Sequence, residues 1–147
     1  MEEIQVIRLG DVRSQWIPGA VGDKEGWMKR VLYPPAVATN GVFLAVAEVN
    51  PGYPAHFWHT HSGPTKAKGY EAVYPENFAE IYHVVSGSGV MQWKTKDGQI
   101  QEKKVSAGDT IYLPADVPEH RLLNNGNEKI HLIVCGYPPP KITVTPE

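Results

Sequence analysis

Thirteen prolines and fourteen glycines cut this chain of 147 residues into short pieces, and that punctuation constrains its fold more than any other feature. Few of the pieces carry an apolar repeat at helical spacing, and helix interiors tolerate neither residue well. The pattern therefore predicts an all-β protein. Stretches rich in β-branched and aromatic residues predict strands at 4–9, 28–33, 42–49, 56–60, 79–86, 90–95, 99–105, 110–113, 119–123 and 130–135. Turn signals stand between them: Asn50-Pro51-Gly52, Gly87-Ser88-Gly89, Asp97-Gly98, Ala107-Gly108-Asp109 and Asn124-Asn125-Gly126-Asn127. Asp97-Gly98 is the strongest, since both central residues of a type I′ turn need positive φ and this pair accepts it cheaply. Many short strands at this spacing imply a sandwich, a jelly roll or a small barrel. No repeat or boundary divides the chain, so residues 1–147 read as one domain with an N-terminal arm at 1–31.

Several classes of partner are disfavoured. A formal charge of −2 gives no field to attract phosphate backbones. Lys94, Lys96, Lys103 and Lys104 flank a turn and read as a solvated hairpin face. Gly87-Ser88-Gly89 lacks the further glycine and the Lys-Ser/Thr of a phosphate loop. Neither nucleic acid nor nucleotide is expected. The acidic opening Met1-Glu2-Glu3-Ile4 and the absence of a long apolar run predict a cytoplasmic protein without a membrane span. Cys135, the single cysteine, lies in the apolar run 130–135 and is expected to be a core residue, not a nucleophile. One segment breaks the rhythm. Residues 62–77, with Gly63-Pro64, Lys66, Lys68, Gly69 and Glu71, read as a long loop and not a strand. Such loops are often lids or binding loops, the alternative being a surface excursion without a role.

Of six histidines, His59 and His61 form a His-x-His pair. On a strand both side chains face one way, with Cα atoms about 6 to 7 Å apart, a separation that suits two imidazoles on one ion. Alone, the pair is weak evidence, because it also fits a solvated strand face or satisfied core residues. Glu80 heads the run Glu80-Ile81-Tyr82-His83-Val84-Val85, which otherwise reads as buried, and a carboxylate there calls for a partner such as a cation. Gly108 to Pro114 then forms a glycine turn feeding a short strand, followed by His120 and Asn124. In strict alternation His56 faces away from His59, and His83 away from Glu80, so both read as surface or structural residues, as does His131. Phe57 and Tyr82 share the ligand faces, where they line a pocket or fill the core.

Together these residues resemble the two signature motifs of the cupin superfamily. The first, a glycine, His-x-His, a glutamate and a glycine, is matched by Gly52, His59, His61, Glu80 and Gly87. The second, a glycine, a proline, a histidine and an asparagine, is matched by Gly108, Pro114, His120 and Asn124. Residues 52–124 hold both. The resemblance implies a double-stranded β-helix, or jelly-roll barrel, that holds one divalent transition metal through His59, His61, Glu80 and His120. It also implies a homodimer. Four departures stand out. Gly52 lies one residue further from His59 than is usual, and eighteen residues separate His61 from Glu80 where the family has only a few. Asp116 replaces a typical glycine, and one extra residue before His120 puts Glu119 at the usual histidine position. Glu119 is thus the alternative fourth ligand.

Imidazole with one carboxylate suits iron, manganese, nickel, cobalt or zinc better than calcium or magnesium, and leaves octahedral positions for water or substrate. The favoured function is an enzyme acting on a small oxygenated substrate by carbonyl or enediol chemistry, of isomerase, lyase or decarboxylase type. An iron-dependent dioxygenase and a non-catalytic binding protein are the alternatives, and no catalytic residue is assigned. A phosphate substrate would need a basic residue nearby; Arg121, Lys66 and Lys68 are candidates, though Arg121 alternates away from His120. The 62–77 loop, joining two ligand-bearing segments, is expected to form a lid with Tyr70, Glu71 and Tyr74 toward a substrate.

Overall fold

Alternation of apolar with other residues sets the largest sheet. The computed structural model describes residues 4–18, 20, 22–33, 41–61, 65–67, 70–73, 77–139 and 141–144. Its strands are β1 (Ser14–Gln15), β2 (Gly26–Leu32), β3 (Phe43–Val49), β4 (Thr65–Ala67), β5 (Tyr70–Val73), β6 (Ala79–Ser86), β7 (Ser88–Lys94), β8 (Ile100–Ser106), β9 (Thr110–Leu113), β10 (His120–Leu123), β11 (Ile130–Tyr137) and β12 (Lys141–Val144). Every second residue of β3 is buried, namely Phe43, Ala45, Ala47 and Val49, and β11 buries Ile130, Leu132 and Val134 in the same way. Strands with one face inward and one outward make antiparallel sheets, and a six-stranded sheet forms in the order β1-β2-β3-β11-β6-β9.

A second sheet has the order β10-β7-β8. Residues 53–59 run beside β10, with bridges from Pro54 to Leu123 and from His59 to His120. Phe43, Val84, Leu122, Ile130 and Leu132 belong to one buried cluster, and Phe43 packs its ring against Tyr33 and Phe78. The all-β jelly-roll expectation holds. The chain passes between these two sheets repeatedly, at β6–β7, β8–β9, β9–β10 and β10–β11, and two of these crossings have clear local causes. At Gly87 the chain leaves β6 in the large sheet and enters β7 in the small one. Gly87 has φ of 87°, and a Cβ there would stand 2.4 Å from the Lys129 carbonyl oxygen. Between β10 and β11, buried Asn124 donates from Nδ2 to the carbonyls of Val49 and Glu128 and accepts from the Gly126 amide.

Several expectations need correction. Residues 4–9 form no strand: Ile4 and Val6 are exposed, so no sheet lies beneath their alternation, and Leu9–Asp11 is a turn of 3₁₀ helix. Residues 56–60 form bends with one bridge, not a strand. The 1–31 arm is part of the sheet at its end, because β1 pairs with β2 and Ile17 is buried in the core. Asp97-Gly98 turns the β7–β8 hairpin, but only Gly98 has positive φ (82°), and the Gly98 amide donates to the Thr95 carbonyl. The turn is therefore not type I′, which needs positive φ at both residues. The 62–77 segment contains strands after all, since β4 and β5 pair with each other and β5 with β12. Its residues 62–64, 68–69 and 74–76 lie outside the described residues, Lys68 and Tyr74 among them. Among the described residues no helix is long and apolar enough to cross a membrane.

Candidate metal centre

Three histidines converge because their backbones pair. His59 and His120 form an antiparallel bridge in which each amide donates to the other's carbonyl, at 3.3 and 3.0 Å. Their ring centroids are 4.2 Å apart. His61, 1% exposed, stacks on Phe78 with centroids 4.0 Å apart and meets the His120 ring edge-on. One candidate ligand atom from each of His59, His61 and His120 lies within 4.8 Å of the others.

The hydrogen bonds decide which nitrogen is offered. Nδ1 of His59 donates to the Phe57 carbonyl at 2.7 Å, Nδ1 of His61 to the Phe78 carbonyl at 2.7 Å, and Nδ1 of His120 to the Pro118 carbonyl at 2.9 Å. A carbonyl can only accept, so Nδ1 carries the proton and Nε2 of a neutral ring keeps its lone pair. Burial disfavours the charged form of two of these rings: it pushes His59 well below the ordinary histidine range and His120 down to about 4, with neighbouring histidines adding to both. Nε2 of His61 and of His120 are buried with no hydrogen-bond partner. Two such acceptors are costly to leave unsatisfied. This donor set fits a transition-metal ion, which imidazole Nε2 atoms bind when Nδ1 is fixed from behind.

Glu80 borders His61 without joining the mutually close set: it is 7% exposed, and its Oε1 lies 3.4 Å from His61 Nε2. Tyr82, the next inward residue of β6, hydrogen-bonds Glu80, and burial followed by that carboxylate pushes its phenol well above the usual range. Tyr82 thus remains a donor. Glu119, the alternative ligand, is paired with the Lys94 ammonium at 3.1 Å, while His120 is fully buried in the cluster. His83 bonds Thr110 Oγ1, and His131 faces Glu48, both away from the cluster as expected. Arg121 donates to Gln92 and, with Lys94, stands 4.8 Å from the Trp58 ring, also away from it.

Other assignments change. His56 does not face away from His59; the two rings stack 3.5 Å apart, because the chain bends between them and strand parity fails. Burial pushes its pKa down to about 3. The same bend turns Phe57 outward, 46% exposed, instead of along the ligand face. Asn124 secures a chain crossing and holds no imidazole, so the carbonyls do that work alone. Cys135 is on the outer face of β11, half-buried, and not a core residue, because Leu132 and Val134 take the inward parity. Sequence reasoning missed Arg30 and Tyr33. With His56, His59, Glu80 and Tyr82 they line a cavity of about 40 Å³ inside the barrel. The available signal was Arg30 at the parity of buried Met28 on β2.

No family model matches the chain. An uncharacterized protein of Methanocaldococcus jannaschii is 42% identical over 60 residues, which is 41% of this chain and 43% of that protein. The match therefore spans less than half of either. Among solved structures, a cupin 2 conserved barrel domain protein from Salinispora arenicola superposes with a TM-score of 0.57 at 17% identity, over 94% of this chain and 90% of that one. A predicted oxalate decarboxylase from Thermotoga maritima gives 0.57 at 19% identity, over 96% and 100%. A Lactobacillus farciminis oxalate decarboxylase in a formate complex gives a TM-score of 0.60 at 13% identity, over 95% of this chain and 35% of that one.

Proposed function

The chain is a cupin by fold, and on that premise we propose that it is a metal-dependent enzyme acting on a small oxygenated substrate by carbonyl or enediol chemistry. His59, His61 and His120 hold the ion through Nε2, and Glu80 completes the set. The observation that carries this is the shared commitment of three Nδ1 atoms to carbonyls, which leaves Nε2 of each ring as the acceptor in one close cluster, those of His61 and His120 buried. Iron, manganese, nickel, cobalt and zinc suit these donors. When bound, such an ion supplies Lewis acidity and open positions for an oxygen ligand. The chain's own groups do the rest. Tyr33 and Tyr82 stand on the cavity wall as partners for substrate oxygens, and Met28, Phe78 and Leu132 exclude water. The cavity, with a volume of about 40 Å³, favours a small substrate. Decarboxylase, lyase and isomerase types all fall within this chemistry.

Elemental analysis of the purified protein, combined with turnover of carbonyl and enediol compounds under oxygen monitoring, tests the proposal. The expected result is about one transition metal per chain and turnover without oxygen uptake. Turnover that consumes oxygen would favour the dioxygenase alternative, and failure to take up any metal would overturn the reading. A homodimer is part of the same proposal: Ile81 and Tyr112 pair on the outer face of the large sheet and are exposed there, with Val85 beside them. Light scattering should give twice the 16.3 kDa chain mass; a monomer at micromolar concentration would refute it.

A further inference from the structure

The cavity beside the histidines contains a group that metal binding does not call for. Arg30 takes an inward position on β2 after Met28 and sits opposite Ala45, a fully buried residue of β3. Among the described residues lining the cavity it is the one permanently positive side chain. Its orientation is set: Nη1 donates to Gln15 Oε1 on β1, and its Cζ stands 5.7 Å from the Tyr33 ring centroid. A guanidinium keeps its charge at any working pH and presents a planar fork that matches a carboxylate.

We infer that Arg30 anchors a carboxylate, so that the site takes a small organic carboxylate carrying a second oxygen within reach of the histidines. This rests on the reading of His59, His61 and His120 as ligands of an ion. The charges agree with it. Arg30 contributes a fixed positive charge to the wall, and a divalent ion at the histidines would add to it. An anion then complements the site where a neutral sugar or polyol does not. Size agrees as well, because a carboxylate and one adjacent oxygenated carbon fit the room that a cavity of about 40 Å³ provides.

Glycolate and pyruvate serve as anionic probes, with ethylene glycol and hydroxyacetone as their uncharged counterparts, titrated calorimetrically into metal-loaded and chelated protein. The anions should bind at least roughly tenfold tighter than the neutral compounds, and Arg30→Gln should weaken them by roughly 10- to 100-fold. Arg30→Lys should restore part of the loss, since it keeps the charge without the fork. Metal content should be equal in all three proteins. Retained metal with unchanged glycolate affinity in Arg30→Gln overturns the anchor and leaves the metal reading standing. No metal uptake by the wild type overturns the metal reading, while the anion preference remains measurable on the chelated protein. Should Arg30→Gln fail to fold, the wild-type preference decides, and equal binding of glycolate and ethylene glycol overturns the inference.

Discussion

Each ring of the histidine triad is held from behind by a main-chain carbonyl, of Phe57, Phe78 or Pro118, and those carbonyls come from segments that the two sheets fix in place. The geometry therefore predicts which substitutions matter. His59→Ala combined with His61→Ala should remove nearly all bound metal, whereas His83→Ala and Glu119→Gln should leave it intact, because His83 bonds Thr110 and Glu119 pairs with Lys94. Elemental analysis of the four proteins checks this, and full retention in the double variant would remove the basis of the metal centre. Cys135 gives a second prediction. Burial, and after it the Glu80 carboxylate, push its thiol above the ordinary cysteine value. The thiolate is the reactive form, so alkylation in the folded protein should begin at higher pH than in the unfolded chain. Mass spectrometry across pH 7 to 10 reads this directly; equal onset in both states would contradict it. His59, His61, Glu80 and His120 were named through their resemblance to two family motifs, and of these the three histidines meet in one close cluster. His56 and Arg30 were not legible, because one depends on a bend that breaks strand parity and the other on which strand borders β3.

Among the elements, those whose residues alternate over a sheet that covers them were read most accurately. The expected strands at 79–86 and 110–113 coincide with β6 and β9, and β3, β7, β8, β10 and β11 differ from expectation only at their ends. Residues 4–9 alternate just as well but have exposed apolar side chains, so periodicity without a partner strand did not make a strand. The 62–77 segment failed in the opposite sense: its glycine and lysines hid strands whose pairing is supplied from residues 141–144, far along the chain. Gly87 was legible as a turn, but its task of passing the chain between sheets was not. At that crossing the backbone has positive φ, and Lys129 and Ile130 crowd the place where a Cβ would be. Left-handed backbone and steric overlap each cost a non-glycine residue roughly 1–2 kcal/mol or more. Gly87→Ala should thus destabilise the protein by about 2–4 kcal/mol, measured by urea denaturation; a change within experimental error would show that the crossing relaxes freely.

For the whole molecule, an ion held by His59, His61 and His120 would bind the folded chain and not the unfolded one, since these residues meet only when residues 53–59 pair with β10. Ligand present at a thousand times its dissociation constant stabilises by about 4 kcal/mol, and for a chain of this size that corresponds to roughly 10 °C in melting temperature. Chelation should lower the melting temperature by about that amount in the wild type and leave the His59→Ala, His61→Ala double variant unchanged; calorimetry on both settles it. Another whole-molecule property follows from β11, which lies between β3 and β6 and bonds to both. During synthesis β3 and β6 emerge early, yet each lacks its central neighbour until residues 130–137 have left the ribosome. Until then two apolar strand edges stand open, the condition that favours pairing with other chains. The nascent protein thus completes its large sheet only after residues 130–137 have emerged, and until then it depends on whatever shields an incomplete sheet.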